Sequence, residues 1–392
     1  MVRLACTGDN HIDEKATAGG KLVLGPDGRS IRAADRERCL VAVAEGAVER
    51  GVDAVLHSGD LFDTARPTPA EYVIAERFVD RICLAGIPLI AAGCNHGLPQ
   101  SLIEQHALAP LIGRQANLHI LLRPEAITIE TKAGPLQLAG LPWPQRSLLA
   151  AEEPTAGLSP EGLNALISRK LATIIRSFLA TRRPGIPLVL LGHVMLREAL
   201  FSNDETAPET GQIVLSAQDL AGFDAAILGD IHRAQSFGAE GRIFYTGSTD
   251  RVSFGEESEA KGFWLVTLEV DRFSKELIET PARKYLTYRH IEEAKLESFE
   301  PADLATDPIV RVKATLMQEE YDALAPHLAR WRAYPLFIEE IEITRQTSAR
   351  SAEMQAEISD VHALTVWHRE NNRPEDLGQL LAVHREIAGA RQ

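Results

Sequence analysis

The chain has 392 residues, 45% of them hydrophobic and 24% charged, which is the composition of a globular protein with a full core. At about 150 residues per domain, this length indicates two or three domains. The 41 basic residues are outnumbered by 55 acidic ones, giving a formal net charge of -14. Bulk charge therefore gives no indication of nucleic-acid binding, and any such contact must depend on a local patch.

The sequence favours a cytoplasmic protein without a membrane partner. The amino terminus turns polar by Gly8, too early for a signal peptide. No apolar run approaches the ~18 residues that span a bilayer. The four cysteines lack paired C-x-x-C spacing, so a disulfide framework or a structural zinc site is not expected.

Five short apolar runs alternate with helical patterns over the first 232 residues. Their near-continuous apolar character is typical of strands buried on both faces. The runs are Val2–Thr7, Asp53–Ser58, Ile87–Ala92, Ile186–Leu191 and Phe223–Leu228. Helical spacing of apolar residues predicts helices over Ala34–Gly51, Pro69–Ile82 and Pro160–Thr181. Strands that alternate with helices predict an α/β layered domain.

Other stretches interrupt or follow this alternation. Turn residues within Gly20–Ile31 predict a hairpin, and period-two character over Leu118–Leu138 predicts further strands at a sheet edge. From Arg242 the pattern becomes β, with strands predicted over Ile243–Thr246 and Gly262–Val270.

The last third of the chain predicts a second, smaller domain and a helical tail. Beyond a boundary near Glu279–Arg283, a β-α-β pattern occupies Ile309–Leu316, Gln318–Arg330 and Phe337–Thr344. A polar stretch, Gln346–Glu353, precedes two predicted helices, Asp360–Glu370 and Pro374–Ala388. The predicted segments are therefore 1–278, 279–345 and 346–392.

Each of the five predicted strands ends at a glycine that is followed closely by a metal-ligating residue type. Ligands of open α/β sheets gather outside the carboxyl ends of strands, and glycine permits close backbone approach there. Imidazole, carboxylate and carboxamide groups bind divalent cations. The residues are Asp9 and His11, Asp60, Asn95 and His96, His193, and Asp230 and His232. One such pair would be weak evidence, but five strand ends favour a metal site.

These motifs resemble the five motifs of the calcineurin-like metallophosphoesterases. The motifs are Gly8-Asp9-Asn10-His11, Gly59-Asp60-Leu61-Phe62-Asp63, Asn95-His96, Gly192-His193 and Gly229-Asp230-Ile231-His232. Three later stretches, Tyr245–Ser248, Arg251–Glu257 and Lys261–Phe263, are similar to the SbcD family of nuclease subunits. The resemblance implies an α/β fold: a layered β-sandwich flanked by helices, with a small α+β capping domain and partner-binding C-terminal helices.

The resemblance also implies two divalent metal ions, Mn²⁺ foremost, with Mg²⁺ or Fe²⁺ as alternatives. It assigns Asp9, His11, Asp60 and His232 to one metal, and Asp60, Asn95, His193 and Asp230 to the other. Asp60 would bridge the two, because a carboxylate has two oxygens. His96 would protonate the leaving 3′ oxygen, and Asp63 would orient His96, although a helix or loop cap is the alternative for Asp63.

The implied function is that of an exonuclease/endonuclease subunit acting on DNA in double-strand break repair and recombination. Its partners would be DNA, an SMC-like ATPase of the SbcC type, and a second copy of the chain within a heterotetramer. One alternative is a small-molecule phosphodiesterase or phosphatase, which needs neither a cap nor terminal helices. Another is a scaffold subunit with a decayed site. The presence of all seven ligand-type residues and of His96 argues against decay.

Three positions depart from the family's pattern. Cys94 takes a glycine's place, Gly97 replaces an acidic neighbour, and Asp230 stands where a histidine is usual. Aspartate can replace histidine as a ligand for a hard cation. We therefore expect these departures to affect rate and metal preference more than the fold.

Two further groups of residues are predicted to lie outside the site. His57 precedes the Gly59-Asp60 motif on a strand, and we expect it to be packed rather than catalytic. Arg32, Arg36 and Arg38 lie on the first predicted helix and are expected to be exposed.

Overall fold

The computed structural model describes residues 1–97, 105–145, 157–202, 213–269, 272–289 and 306–344, with 365, 378–379 and 381–384. The predicted polar stretch Gln346–Glu353 lies outside these residues, as do most of the two predicted C-terminal helices. Among the described residues, no helix combines the length and apolar character needed to cross a membrane.

Two six-stranded sheets form the centre of the fold. Numbered along the chain, the first contains β1 (Val2–Thr7), β2 (Ala54–His57), β3 (Leu89–Ala92), β4 (Leu118–Leu121), β13 (Gly262–Leu268) and β14 (Phe273–Glu279). The second contains β5 (Glu125–Thr131), β6 (Gly134–Leu141), β7 (Leu188–His193), β10 (Ala225–Gly229), β11 (Gln235–Phe237) and β12 (Ile243–Tyr245). Their spatial orders are β14-β13-β1-β2-β3-β4 and β11-β12-β10-β7-β6-β5.

The remaining strands form two small sheets. A two-stranded sheet joins β8 (Met195–Leu196) and β9 (Val214–Leu215), and a three-stranded sheet has the order β15 (Tyr285–Tyr288), β16 (Ile309–Met317), β17 (Phe337–Thr344). Within the predicted hairpin at Gly20–Ile31, the chain forms an isolated bridge between Leu24 and Ser30 instead of continuous strands.

Parallel pairing aligns the carboxyl ends of the strands that carry the motifs. In the first sheet β1, β2 and β3 pair in parallel, and in the second sheet β7 pairs in parallel with β10. β1 is antiparallel to β13 on its other side. The five predicted strands are thus present, but they divide between two sheets.

The α-helices with described bounds are α1 (Ile31–Glu49), α2 (Pro69–Cys83), α3 (Pro160–Ala180) and α4 (Gln318–Arg332), and the described residues 365, 378–379 and 381–384 are also helical. α1 begins after Ser30, whose side chain accepts hydrogen bonds from the backbone N–H groups of Arg32 and Ala33. α2 begins with a capping box between Thr68 and Glu71, which satisfies free N–H groups of the first turn.

Successive side chains along the strands point to opposite faces of each sheet, and this alternation produces a layered core. In β1, Leu4 and Cys6 pack between the two sheets, whereas Ala5 faces the opposite side with the α1 residues Leu40 and Val43. α3 packs in the same way on the outer face of the second sheet, with Ile167 among the buried residues of that cluster. The helix-sheet-sheet-helix layering confirms the predicted fold class.

The chain divides into two compact units. One contains Met1–Lys313 and Arg330–Glu339, and the other contains Ala314–Ala329 and the chain from Glu340 onward. The first unit holds both six-stranded sheets. The predicted domain limits at 278 and 345 stay predictions.

Candidate metal centre

The five motif-bearing strand ends meet in one cluster. Asp9 and His11 follow β1, Asp60 follows β2, Asn95 follows β3, His193 ends β7, and Asp230 and His232 follow β10. Oδ2 of Asp60 lies 3.4 Å from Nε2 of His193 and 3.8 Å from Nε2 of His11. Nε2 of His193 also lies 2.9 Å from Oδ1 of Asn95 and 3.8 Å from Oδ1 of Asp230.

Two further contacts complete the cluster. Nε2 of His11 lies 3.0 Å from Nε2 of His232, and the backbone N–H of Asp230 donates to Oδ1 of Asp9 at 3.1 Å. The structure therefore brings together all seven residues that the sequence nominates as metal ligands. Their role as ligands stays a prediction.

The potential ligand atoms form two groups that share Asp60. Those of Asp9, Asp60 and His193 lie within 4.8 Å of one another, and so do those of His11, Asp60 and His96. A carboxylate common to both groups is placed as a bridging ligand would be. His96, which the sequence nominates as a proton donor, also lies within ligand distance of this centre.

Four residues of the cluster have a left-handed backbone. The φ angles are +49° at Asp9, +50° at His11, +50° at Asp60 and +99° at Asp230. Among the described residues, Glu240 is the one other non-glycine residue with a positive φ. Such conformations cost on the order of 1–3 kcal/mol each and concentrate at functional sites. The backbone thus marks this edge independently of its side chains.

Main-chain hydrogen bonds between the loops after β1 and β2 hold these conformations. The N–H of Asp9 donates to the carbonyl of Gly59 at 3.0 Å. The N–H groups of Asn10 and His11 both donate to the carbonyl of Asp60, at 2.8 and 3.0 Å. The two loops therefore support one another.

Glycine is required where the strand ends approach His193. A Cβ on Gly59, which has a φ of +117°, would lie 2.3 Å from Nδ1 of His193, and one on Gly229 would lie 2.8 Å from the same atom. Nδ1 of His193 donates to the carbonyl of Ser58 at 2.8 Å, which in the neutral ring leaves the Nε2 lone pair facing the cluster. The predicted close approach at glycine is observed at both positions.

The cluster contains carboxylate oxygens that a cation would satisfy. Oδ2 of Asp9, Oδ1 of Asp60 and Oδ2 of Asp230 are buried without a hydrogen-bond partner. Buried polar atoms in proteins are almost always paired, and an unpaired carboxylate oxygen is costly. Three such oxygens around one centre fit divalent cations, which accept oxygen and imidazole ligands together.

The facing imidazoles of His11 and His232 also fit a cation. Nδ1 of His11 lies 3.0 Å from Oδ1 of Asp63, and Nδ1 of His232 lies 2.9 Å from Oε1 of Glu256. An ionised carboxylate only accepts hydrogen bonds, so each Nδ1 carries a proton, and each ring, when neutral, presents a lone pair at Nε2. Two neutral rings would therefore face each other with lone pairs 3.0 Å apart, an arrangement that a shared cation would satisfy. Carboxylate-bound histidines are the usual arrangement at protein metal sites.

The pKa shifts of the cluster also favour bound cations. Burial raises the pKa of Asp9 to about 7, and burial also raises the pKa of Asp230. Burial alone would lower the pKa of His193, but the nearby carboxylates of Asp60 and Asp230 raise it to about 10. Without a cation, the buried acids therefore draw protons into the cluster. Divalent cations would supply that positive charge instead.

The expected role of Asp63 needs correction. The sequence predicts that its carboxylate orients His96, but the carboxylate contacts His11. Nδ1 of His96 instead donates to the main-chain carbonyl of Asp63 at 2.8 Å. Asp63 follows Asp60 closely enough for its carbonyl and its side chain to reach different imidazoles. His96 itself is exposed, and its ring stands edge-on to His11 with centroids 4.8 Å apart.

The arginines of α1 are also placed differently from the prediction. Arg32 is 1% exposed and pairs with Asp250 at 2.7 Å, and Arg36 is 7% exposed and donates to the carbonyl of His11. Only Arg38 keeps a substantially exposed side chain. The first two turn inward because buried acceptors compensate their charge.

His57 is buried, as predicted, and connects the loops beneath the cluster. Its Nε2 lies 2.6 Å from Oδ1 of Asn10, and its Nδ1 accepts the N–H of Gly59 at 3.2 Å. The side-chain Nδ2 of Asn10 donates a hydrogen bond to Oγ1 of Thr249 at 2.9 Å. Burial lowers the pKa of His57 to about 4, consistent with a neutral packing residue.

Glu256 is a contact of the centre that the sequence pattern alone does not nominate as a site residue. It lies 24 positions after His232 and is buried with Lys261. The sequence does contain an indication of their importance, because Glu256 and Lys261 fall within the stretches that carry the family resemblance. Their roles become apparent only once the loop after β12 is placed against His232.

The comparisons with known proteins come from sequence and from solved structures. No family model matches the chain. "DNA double-strand break repair protein Mre11" from Methanosarcina mazei is 24% identical over 291 residues, covering 73% of this chain and 39% of that protein. The D subunit of the nuclease SbcCD from Escherichia coli strain K12 is 25% identical over 248 residues, covering 60% of each chain. The aligned part of the chain thus spans 39 to 60% of the length of these relatives.

A crystal structure of a dimetal phosphatase from Danio rerio is also similar, with a TM-score of 0.38 and 11% identity over 71% of this chain and 97% of that one. A likeness this low supports no conclusion by itself. The strand-end motifs, the layered sheets and the sequence relatives together support a calcineurin-like phosphoesterase. Within that class, the two relatives support an SbcD/Mre11-like chain.

Proposed function

We propose that this chain is a metal-dependent nuclease subunit that hydrolyses DNA phosphodiester bonds at the strand-end cluster. Two divalent cations, Mn²⁺ foremost, would be held there, and such a pair activates water and stabilises the oxygens of an in-line displacement at phosphorus. The names of the Methanosarcina mazei and Escherichia coli relatives support DNA double-strand break repair as the process and nuclease as the activity.

One observation carries this proposal: three carboxylates with buried, unpartnered oxygens lie in the same cluster as two imidazoles that other carboxylates orient. Asp9, His11, Asp60 and His232 would hold one cation, and Asp60, Asn95, His193 and Asp230 the other. The positions of Asp60 between His11 and His193 support its assignment as the shared ligand.

His96 is proposed to protonate the leaving oxygen. Its Nδ1 is fixed on the carbonyl of Asp63, and the ring is exposed at the edge of the cluster. A protonated imidazole in that position can donate from Nε2 to an oxygen of a bound phosphodiester. Asp63 would act on the centre through His11, holding that ring with its lone pair toward the cation.

The partner is proposed to be an SMC-like ATPase of the SbcC type. The relative from Escherichia coli is named as one subunit of the nuclease SbcCD, which supports a multisubunit assembly. A chain with a net charge of -14 gains from a partner that supplies basic DNA-binding surface. A homodimer within a heterotetramer is the proposed assembly.

A cleavage assay tests the activity directly. Purified protein is stripped with a chelator and given end-labelled single- and double-stranded DNA, with and without added Mn²⁺, Mg²⁺ or Fe²⁺. We expect Mn²⁺-dependent cleavage. Hydrolysis of small phosphodiesters without DNA cleavage would instead establish a small-molecule enzyme, and no hydrolysis of either substrate would establish a scaffold subunit.

The Asp60→Ala variant tests the two-cation assignment. It removes the one ligand common to both groups, so bound metal and cleavage should fall together. Asp13→Ala is the matched control, because its carboxylate bonds the N–H of Lys15 at 2.8 Å and does not contact the cluster. Near-normal Mn²⁺-dependent cleavage by Asp60→Ala would refute the shared-ligand assignment.

A further inference from the structure

Lys261 contacts the backbone of His232, and Glu256 contacts its ring. The ammonium of Lys261 donates to the carbonyl of His232 at 3.1 Å, to Glu256 at 2.6 Å and to Glu259 at 2.9 Å. Glu256 in turn contacts Nδ1 of the His232 ring at 2.9 Å. The side chains of Lys261 and Glu256 are 1% and 2% exposed. These contacts lie beside the proposed metal ligands and are not among them.

The two carboxylate oxygens of Glu256 have different surroundings. Oε1 faces Nδ1 of His232. Oε2 faces three donors, namely the ammonium of Lys261, the N–H of Val252 at 3.1 Å and the hydroxyl of Ser248 at 3.3 Å. An ammonium, an N–H and an O–H on one oxygen are the partners of an ionised carboxylate, which can only accept hydrogen bonds.

We propose that Glu256, held by Lys261, is the positioning residue that places the proton of His232 on Nδ1 and presents its Nε2 to the cation. The inference rests on the proposed metal site and deepens it. Glu256 does not touch the cation or the substrate, and it acts through His232. The ring of His11, which faces that of His232, has an equivalent partner, because the carboxylate of Asp63 contacts its Nδ1.

A glutamine at position 256 gives a specific prediction. Since the Oε2 position faces three donors, the amide of Glu256→Gln would place its oxygen there and turn its NH₂ group toward Nδ1 of His232. Nδ1 would then accept, and the ring proton would move to Nε2. An imidazole with a proton on Nε2 cannot ligate a metal through that atom. The substitution therefore keeps size and shape but inverts the tautomer.

The test measures Mn²⁺ binding and the tautomer in the stripped protein. Binding is followed through the electron paramagnetic resonance signal of free Mn²⁺, and the His232 ring through long-range ¹H–¹⁵N correlation spectra. We expect Glu256→Gln to weaken one Mn²⁺ site roughly 10- to 100-fold, the usual effect of losing such an outer partner. Its His232 should carry the proton on Nε2, whereas Nδ1 carries it in the wild type.

Two variants serve as controls. Glu259→Gln removes a carboxylate that also bonds Lys261, on the same loop, but that carboxylate is not a partner of His232. It should leave both readouts unchanged. Glu256→Asp keeps an acceptor-only carboxylate and should keep the wild-type tautomer even if the shorter side chain weakens binding. Circular dichroism and the melting temperature confirm that each variant is folded.

The outcomes separate the inference from the proposed function. Wild-type Mn²⁺ affinity and tautomer in folded Glu256→Gln would overturn the inference and leave the metal site intact. An equal loss of affinity in Glu259→Gln would also overturn it, since general loop charge would then explain the effect. If the wild type has no Mn²⁺ site that His232→Ala removes, the proposed metal centre itself fails, and the inference fails with it.

Discussion

The ring of His106 occupies the space that a side chain at Gly97 would need. A Cβ on Gly97 would fall 2.3 Å from Cε1 and 2.5 Å from Nε2 of that ring. Nε2 of His106 lies 3.1 Å from the backbone nitrogen of Cys94, so the same ring contacts both ends of the Cys94–Gly97 segment. The two departures from the family's pattern at Cys94 and Gly97 are thus connected through one buried histidine.

This contact predicts that Gly97→Ala weakens both stability and activity. The added methyl would displace His106 or the backbone that carries Asn95 and His96, and overpacking of this kind costs about 1–3 kcal/mol. Melting temperature and Mn²⁺-dependent cleavage measure the two effects. The double variant Gly97→Ala with His106→Ala should recover part of the loss, because the obstructing ring is gone. Unchanged melting and cleavage in Gly97→Ala would show that the segment yields without cost.

His96→Asn is expected to separate chemistry from metal binding. Loss of a general acid typically slows the chemical step by ~10²–10⁴-fold. Mn²⁺ affinity should stay close to that of the wild type, and activity should partly recover on a phosphodiester with a better leaving group. Since His96 lies within ligand distance of His11 and Asp60, metal content is the decisive measurement. Loss of bound metal in this variant would reassign His96 as a ligand.

Asp230 tests the departure in the last motif. One of its oxygens is buried without a partner, while its N–H contact to Asp9 comes from the backbone and survives any substitution of the side chain. Asp230→Ala should therefore lose affinity for one cation and most of the activity. Asp230→His, which restores the residue usual in the family, should stay active with an altered order of metal preference. Near-normal and equal activity in both variants would make Asp230 a bystander.

The sequence predicts the strand ends well because one local pattern specifies them. An apolar run followed by glycine and a polar ligand type marks both the end of a buried strand and the residue beyond it, as at Gly59-Asp60. The same pattern says nothing about sheet membership. β2 and β7 are similar apolar runs, yet they lie in different sheets and their outer faces pack against different helices.

The sequence pattern does not predict contacts between loops that are distant along the chain. The ring that Asp63 reaches is decided by the left-handed turns after β1 and β2, which bring His11 closer than His96. His106 lies 12 positions from Cys94 and Glu256 lies 24 from His232, with no periodicity that links either pair. The edge strand β14 escapes prediction because its half-exposed residues lack the continuous apolar character of the central strands.

The last prediction concerns the C-terminal segment, whose interpretation rests on the sequence pattern. Apolar residues recur in its two predicted helices at Val361, Leu364, Val366 and Trp367, and at Leu377, Leu380, Leu381, Val383 and Ile387. Short amphipathic helices are marginal alone in water and need a surface to cover their apolar faces. Val383, which lies among the described residues, is 53% exposed. Docking of these helices on the coiled-coil base of the proposed ATPase would cover them as helix-in-groove recognition does.

Deleting Gln346–Gln392 should therefore leave Mn²⁺-dependent cleavage of single-stranded DNA largely intact, because all seven proposed ligands and His96 precede the deletion. The same variant should lose co-purification with the SbcC-type ATPase and the ATP-stimulated cutting of duplex ends. Cleavage of single-stranded DNA is the internal control for folding. If the helices instead fold back on the chain's own catalytic domain, the deletion lowers the melting temperature and basal cleavage together. Retained binding to the ATPase after the deletion would place the interface elsewhere on the chain.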